Sequence, residues 1–404
     1  MKKLAFFSLL VLFASCRQHK NPDFIVTVSN DQDFSRDELV EVPISAIGER
    51  IRLIDEEQYI VLDARGEQVP YQITYDDHLL FSVSIAAQDT ATYTITVGEP
   101  VKAAPYVHGR HYLEYADDIA WENDRIGYRI YGDEEIGYDI WAKRVSHLVL
   151  EERYSKEHHP TTLDEIAQLR KARKYREADA LRHAVSHHVD LGDGLDCYRV
   201  DATLGCGTSA LMQGDKIIYP ACWEGYEVLE NGPLRFTIRL TYPTLVVGSD
   251  KEVAETRIIS LARGEQLNKT IVTYTGLSKT TPVATGLVIH PSHPTAFVTE
   301  RERGYIAYAD LTENVANGNG VIYVGAVMTK KIKDTQLSAF TSKEAKERGA
   351  LGHVLAISNY RPGSAYTYYW GAGWSKYGFD SMEAWSAYLE HCAQRIQHPL
   401  AVSY

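Results

Sequence analysis

The sequence predicts an all-β chain in two parts: a small N-terminal β-sandwich followed by a large antiparallel β-sandwich with helical insertions. Three observations predict it. Short runs rich in Val, Ile, Thr and Tyr recur along the 404 residues, and the 27 tyrosines suit pleated, half-buried surfaces. Turn chemistry such as Asp63-Ala64-Arg65-Gly66, Tyr75-Asp76-Asp77-His78 and Ala87-Gln88-Asp89 separates the runs. Few crossover helices lie between strands, which disfavours a doubly wound parallel sheet. With 45% hydrophobic residues the chain can bury a core, so global disorder is excluded. The net charge is −12 and there is no basic block, which argues against nucleic acid as a partner.

Residues 1–16, MKKLAFFSLLVLFASC, read as a leader. Lys2 and Lys3 form a charged start, and Leu4 to Phe13 form an apolar stretch too short to span a membrane. The small residues before Cys16 resemble a lipobox, so Cys16 is expected to be lipidated and to hold the mature chain at a membrane through a tether at 17–23. Without this leader, and its two lysines, the charge is −14. Arg17-Gln18-His19-Lys20 lacks an acidic surface-export stretch, which favours a periplasm-facing envelope lipoprotein.

Strands are then expected at 24–30, 38–42, 59–63, 69–75, 79–85 and 91–97, a small sandwich over 24–100 closed by the Gly98-Glu99-Pro100 and Ala103-Ala104-Pro105 linker. The large domain, 105–404, has strands expected at 126–131, 197–203, 226–230, 234–242, 253–261, 267–275, 283–290, 321–327, 353–359 and 365–370. Thr162 and Glu165 have capping-box spacing and open a charged surface helix or helical pair over 162–185. Ser381 caps a cleaner amphipathic helix, 381–397, with Trp385, Leu389, Cys392 and Ile396 on one face. Cys197, Cys206, Cys222 and Cys392 form no CxxC; a Cys197–Cys206 or Cys206–Cys222 bridge is left open, and Cys392 reads as a buried thiol.

Three segments carry candidate chemistry. In the first, Trp121, Glu122, Asn123, Asp124 and Arg125 set four consecutive polar groups beside an indole, with Arg129 following. Trp offers a flat face for a sugar, the acids offer a proton, and the arginines offer a fork for a carboxylate. The bland alternative is a strand entry with an internal Glu–Arg pair. In the second, His187 and His188 precede a loop with Asp190, Asp193 and Asp196 and glycines at 192 and 194. That loop could hold calcium, weakly, since EF-hand spacing and its closing Glu are absent; a His acting as base is the stronger reading. The third interleaves Tyr366, Tyr368, Tyr369, Trp370 and Trp374 with Gly371 and Gly373, as if something flat approached the backbone. His290, ending a long apolar strand, is a lesser candidate, with Tyr219 and Trp223. No GxSxG elbow, GxxxxGK[ST] loop, GxGxxG turn or HExxH motif is present.

The runs WENDRIGYRIYG, GYDIWAKRV, DLGDGLDCY, GTSAL, NGPLRF, ETRIISL, GYIAYAD and YYWGAGWSKYGF, spread over roughly 24–400, resemble domain-of-unknown-function family 4861 of Bacteroidetes lipoproteins. The resemblance implies a galactose-mutarotase-like supersandwich for the large domain and a setting among polysaccharide-utilisation systems; it brings no established reaction. The implied function is carbohydrate-active, on an acidic, uronate-containing oligosaccharide, by lyase, hydrolase or epimerase chemistry. His188 or Tyr369 would act as base, Glu122 as acid, and Arg125 or Arg129 would neutralise a carboxylate; Trp121, Asn123, Asp124, His187, His290, Trp370 and Trp374 would bind the sugar. The alternatives are a non-catalytic glycan-binding lipoprotein, with the same tryptophans as stacking platforms, and an envelope scaffold.

Overall fold

In the computed structural model, residues 22–113, 117–133, 136–311 and 315–404 are described. The leader, Cys16 and most of the tether lie outside them. The chain is mostly antiparallel β-sheet. No helix among the described residues is long and apolar enough to cross a membrane.

Alternation builds the small sandwich. Phe24, Val26 and Val28 point inward along the first strand, Phe24–Ser29, and meet Val40, Val42, Phe81 and Val83 of the opposing three-stranded sheet. The strand beside Phe24–Ser29 on one side is Thr90–Gly98; on the other it is Ala401–Ser403, the last strand of the chain. The small sandwich therefore takes one strand from beyond the 24–100 segment.

In the large domain a nine-stranded sheet packs one face against two five-stranded sheets, which a single parallel bridge, Tyr138 to Gly205, joins. Trp121, Tyr128, Leu287, Val354, Phe236 and Val324 from all three sheets share one core. The other face of the nine-stranded sheet carries the helix Met382–Gln397. Ser381 Oγ accepts from Ala384 N at 3.1 Å, and Trp385, Leu389 and Cys392 bury against Ala307, Tyr323 and Val327. The small sandwich docks on this same side. Gln72 Oε1 accepts from Leu234 N and Arg235 N at 2.9 Å, Arg235 pairs with Glu41, and Arg36 donates to His398 O at 2.9 Å.

The helical insertion differs from its expected form. It comprises three helices, Leu150–Glu157, Pro160–Lys171 and Tyr175–Val185. The second starts at Pro160, whose fixed φ suits a first helical position, and not at a Thr162–Glu165 box. Arg173, at φ 57°, breaks the 162–185 run into an antiparallel pair. The first helix has no local cap; Glu122, from a strand of the sheet beneath, accepts from Val149 N and Leu150 N, both at 2.7 Å. The expected strand 197–203 is also absent. Pairing stops at Gly194–Asp196, and the chain runs as a loop through Asp201, at φ 48°, before the strand Cys206–Gln213. Gly194 is obligatory at that edge: at φ 128° a Cβ would collide with the Ala142 carbonyl. Cys206 and Cys392 are buried thiols, which removes both bridges that involved Cys206.

Candidate functional site

Five antiparallel strands put Arg129 at the centre of a carboxylate cluster. Arg129 and Tyr131 lie two residues apart on the strand Ile126–Tyr131 and so share a face. Across the ladders Arg129 pairs with Asp139, Tyr131 with Asp118, and Trp141 with Asp196. Same-face and diagonal neighbours in such a sheet are within reach of a long side chain. Arg129 Nη2 donates to Asp139 Oδ2 at 2.6 Å and to Asp196 Oδ2, and Nη1 lies 3.5 Å from Asp118 Oδ2. Tyr131 donates to Asp139, and Tyr154 to Asp118 at 2.9 Å. Three buried carboxylates thus share one guanidinium. Burial raises the pKa of Asp118 and carries that of Asp196 well above the usual carboxylate range, against the pull of Arg129.

The insertion supplies the second layer. His187 and His188 follow its last helix, and Asp196 N donates to His187 O at 2.9 Å, which fixes them over the sheet edge. His187 Nδ1 meets Glu157 Oε2, and Glu157 also accepts from His187 N at 2.7 Å. Burial lowers the His187 pKa to about 4, so its imidazole is neutral at pH 7. Burial alone would raise Glu157, but hydrogen bonds from the His187 ring and backbone N–H, with Arg182 nearby, hold it at about 2. The Glu157 contact assigns the His187 proton to Nδ1 and leaves Nε2 facing Asp196 at 3.6 Å. His188 Nδ1 stands 3.8 Å from the same Asp196 oxygen and 3.1 Å from the Asp196 carbonyl.

These groups open onto a cleft of about 410 Å³ lined by Arg129, Tyr131, His188, Asp196, Tyr198 and the 199–201 loop. His188 is half exposed there and Arg199 is held to Asp201 at 2.6 Å. The Tyr198 hydroxyl is buried and has no hydrogen-bond partner among the described residues. Its ring lies edge-on to His290, whose Nδ1 bonds Asp310 at 2.7 Å.

Of the residues singled out from the sequence, the structure gathers Arg129, His187, His188 and Asp196 here. His290 stands behind the cleft against Tyr198, and the others lie elsewhere. Glu122 is 1% exposed, paired with Lys143 and capping a helix. Trp121 donates to Asn268 at 2.8 Å inside the core, where Trp370 stacks on Tyr138 at 4.0 Å. Trp374 is buried and donates to Asn319 O at 2.7 Å. Asn123 ties the turn at Arg125 to Ala262 and Glu265, and Asp124 accepts from Gly264 N. Arg125 is half exposed beside Asp124. Tyr369 lines a separate groove of about 540 Å³ between the small sandwich and the nine-stranded sheet, where Arg235 and Arg395 already pair with glutamates; burial raises its pKa to about 12. The flat group against Gly373 is the chain's own Phe379. Asp190 pairs with Arg144 at 2.8 Å and Asp193 with Arg153 at 2.5 Å, so the three loop aspartates turn to three different arginines instead of converging on one cation. The sequence reading passed over Asp139, Glu157, Tyr198 and Arg199. Arg129 and Tyr131, at period two, carried a local signal for the cluster, as Asp196 did in its glycine-rich loop.

Comparisons with known proteins bear on the whole chain. Residues 28–402 match the family described as domain of unknown function DUF4861. A relative in Formosa agariphila, described as uncharacterized protein P7, is 23% identical over 432 residues, covering 99% of this chain and 98% of its own. Two solved structures from Enterococcus faecalis, an alpha-mannosidase and a protein in glycosyl hydrolase family 38, superpose with TM-scores of 0.47 at 8% identity over 94% of this chain. The chain spans about half the length of each, 46% and 47%. By its match over nearly its full length, this chain belongs to the DUF4861 family.

Proposed function

We propose that this protein is a carbohydrate-active enzyme that handles a proton on a uronate-containing oligosaccharide in the Arg129–Asp196–Tyr198 cleft. The observation that carries it is convergence. Residues from the strand Ile126–Tyr131, from the strand Gly194–Asp196 and its following loop, and from the end of the helical insertion line one polar cleft. The substrate class comes from the resemblance of the motifs to sugar-acting proteins; the reaction class comes from the cleft. Arg199 offers a half-exposed fork for a carboxylate. Tyr198 forms part of the wall, and its unpartnered hydroxyl, buried behind that wall, is the proton this reading assigns to the reaction.

Elimination or epimerisation fits better than two-carboxylate hydrolysis. A hydrolytic pair holds a sugar between its acids, about 5–9.5 Å apart. Here Asp118, Asp139 and Asp196 close on one guanidinium. The glycan-binding alternative loses its platform, because Trp121, Trp370 and Trp374 are all buried. The same proposal has the protein exported and held at the envelope by a lipid on Cys16.

The test is a panel of uronate-containing oligosaccharides, followed for unsaturated product, reducing ends and epimerised sugar. Tyr198→Phe is expected to lower kcat roughly 10²–10⁴-fold, and Arg199→Ala to raise KM more than it lowers kcat. A panel with no turnover, or full activity in Tyr198→Phe, overturns the proposal.

A further inference from the structure

Among the described residues, His187, His188 and Asp196 are one of two groups whose donor atoms lie within 4.8 Å of one another. We propose that His187 Nε2, His188 Nδ1 and Asp196 Oδ2 bind one divalent transition-metal ion of the zinc class, with its remaining position open to the cleft.

Toward the Asp196 carboxylate the spacing fits an ion and does not fit direct hydrogen bonds; the bond that His188 Nδ1 makes to the Asp196 carbonyl at 3.1 Å is the contact an ion would replace, with loss of the Nδ1 proton. The two imidazole nitrogens stand 3.6 and 3.8 Å from the Asp196 oxygen. That is beyond hydrogen-bond range, and it is close to the roughly 3.3–3.5 Å edge of a tetrahedron with metal–ligand bonds of about 2.0–2.1 Å. The His187 tautomer is already set. Glu157 accepts a hydrogen bond from the Nδ1–H of His187, so Nε2 presents its lone pair, the carboxylate–histidine arrangement that orients metal-bound imidazoles. The carboxylate ligand is supported in turn by Arg129.

Charge points the same way. Asp118, Asp139 and Asp196 share one guanidinium, so a divalent cation would offset an excess of buried negative charge. Access is present too. His188 is 51% exposed on the cleft, while His187 and Asp196 are 14% and 3% exposed, which gives a path in and a closed floor. Two imidazoles with a single carboxylate select a borderline transition metal over calcium, which takes six to eight oxygens. The second group, Glu157, His158 and His187, is a poorer holder, because Glu157 and His187 already bond each other directly. The ion's role, a Lewis acid facing Tyr198 and Arg199 that would draw a sugar carboxylate or hydroxyl, rests on the function proposed above; its binding does not.

The experiment therefore reads binding. The tag-free full chain, freed of metal by chelator, is titrated with Zn²⁺ by calorimetry, and its metal content is measured as purified. One equivalent is expected, together with a rise in melting temperature on adding Zn²⁺. His188→Ala, at an exposed position that the fold tolerates, is expected to weaken Zn²⁺ binding at least tenfold. Glu157→Gln is expected to weaken it roughly 10–100-fold, and His183→Ala, exposed on the helix before the site, to leave it unchanged. No stoichiometric binding, or equal binding in His188→Ala, overturns the metal site. Stoichiometric, His188-dependent binding without turnover of any glycan leaves the metal site standing and overturns the functional reading alone.

Discussion

Single residues show why polar content misleads. Trp121 to Arg125 read as a site because four polar residues in a row break the alternation that a half-buried strand needs. The strand Asp118–Asn123 resolves this by being buried on both faces, so its polar groups face other protein groups. Glu122 meets Lys143, itself 0% exposed, and the N–H groups of Val149 and Leu150. Breaking such a pair from one side strands a buried charge. Lys143→Met is expected to cost about 3–5 kcal/mol in chemical denaturation, and adding Glu122→Gln is expected to recover part of it. A double variant as weak as the single one would refute the pairing.

His353 makes a separate claim at the same scale. Its Nε2 accepts from Leu204 N at 3.0 Å, and burial, with Arg348 and His290 nearby, lowers its pKa to about 3. The unfolded chain takes up a proton near pH 6.5, while the folded chain resists until about 3. Stability is therefore complete above pH 6.5 and drains away as the pH falls toward 3, by about 1.4 kcal/mol per unit for this group. His353→Gln keeps an acceptor for Leu204, so it should flatten the fall of stability between pH 6.5 and 4. An unchanged slope would locate the effect elsewhere, His187 being the other imidazole that burial keeps neutral.

Elements were legible where the signal is local. The C-terminal helix carried its cap and its stripe in one 17-residue window, and the structure returns both. The small-sandwich strands did the same by alternation. The insertion was legible only in part, because its controls are remote or conformational. The helix Leu150–Glu157 takes its cap from Glu122, 27 residues earlier, and no local pattern encodes that. The break at Arg173 is a left-handed residue without a glycine to announce it. That position holds a strain of about 1–2 kcal/mol for an L-residue with a Cβ. Arg173→Gly should relieve it, minus the added freedom of glycine in the unfolded chain, for a net gain of up to about 1 kcal/mol in the denaturation midpoint. A loss of stability would mean that the Arg173 side chain holds the helical pair together. The candidate cleft was legible in four of its members, Arg129, His187, His188 and Asp196, but their convergence was not, for the same reason on a larger scale. Arg129, Asp139, His187 and Asp196 meet through sheet register and a helical detour, and their spacing along the chain records neither.

At the level of the whole molecule, the first and last strands of the described residues meet. The small sandwich is completed by Ala401–Ser403, paired to the first strand as Thr27 to Ser403, Val28 to Val402 and Ser29 to Ala401. Leu400 and Val402 pack on its core. A reading that divides the chain at residue 100 cannot see this, because periodicity assigns a strand to a segment and says nothing of its partner. The consequence is mechanical coupling. The helix Met382–Gln397 is pinned to the nine-stranded sheet, and the strand that follows it closes the other domain. Arg36 to the His398 carbonyl and Arg235 to Glu41 cross the same junction. Unfolding the small sandwich should therefore pull on the large one, and the intact chain should melt in a single transition. A chain ending at Pro399 loses the pairing and leaves the edge of Phe24–Ser29 bare. Bare edges recruit other strands, so this variant should melt in two steps, the small sandwich first, and should self-associate as its concentration rises. The cleft lies among other strands, so Zn²⁺ affinity in the monomeric fraction should be unchanged. A single transition at the original temperature, with no association by light scattering, would show that the last strand decorates the small sandwich without holding it.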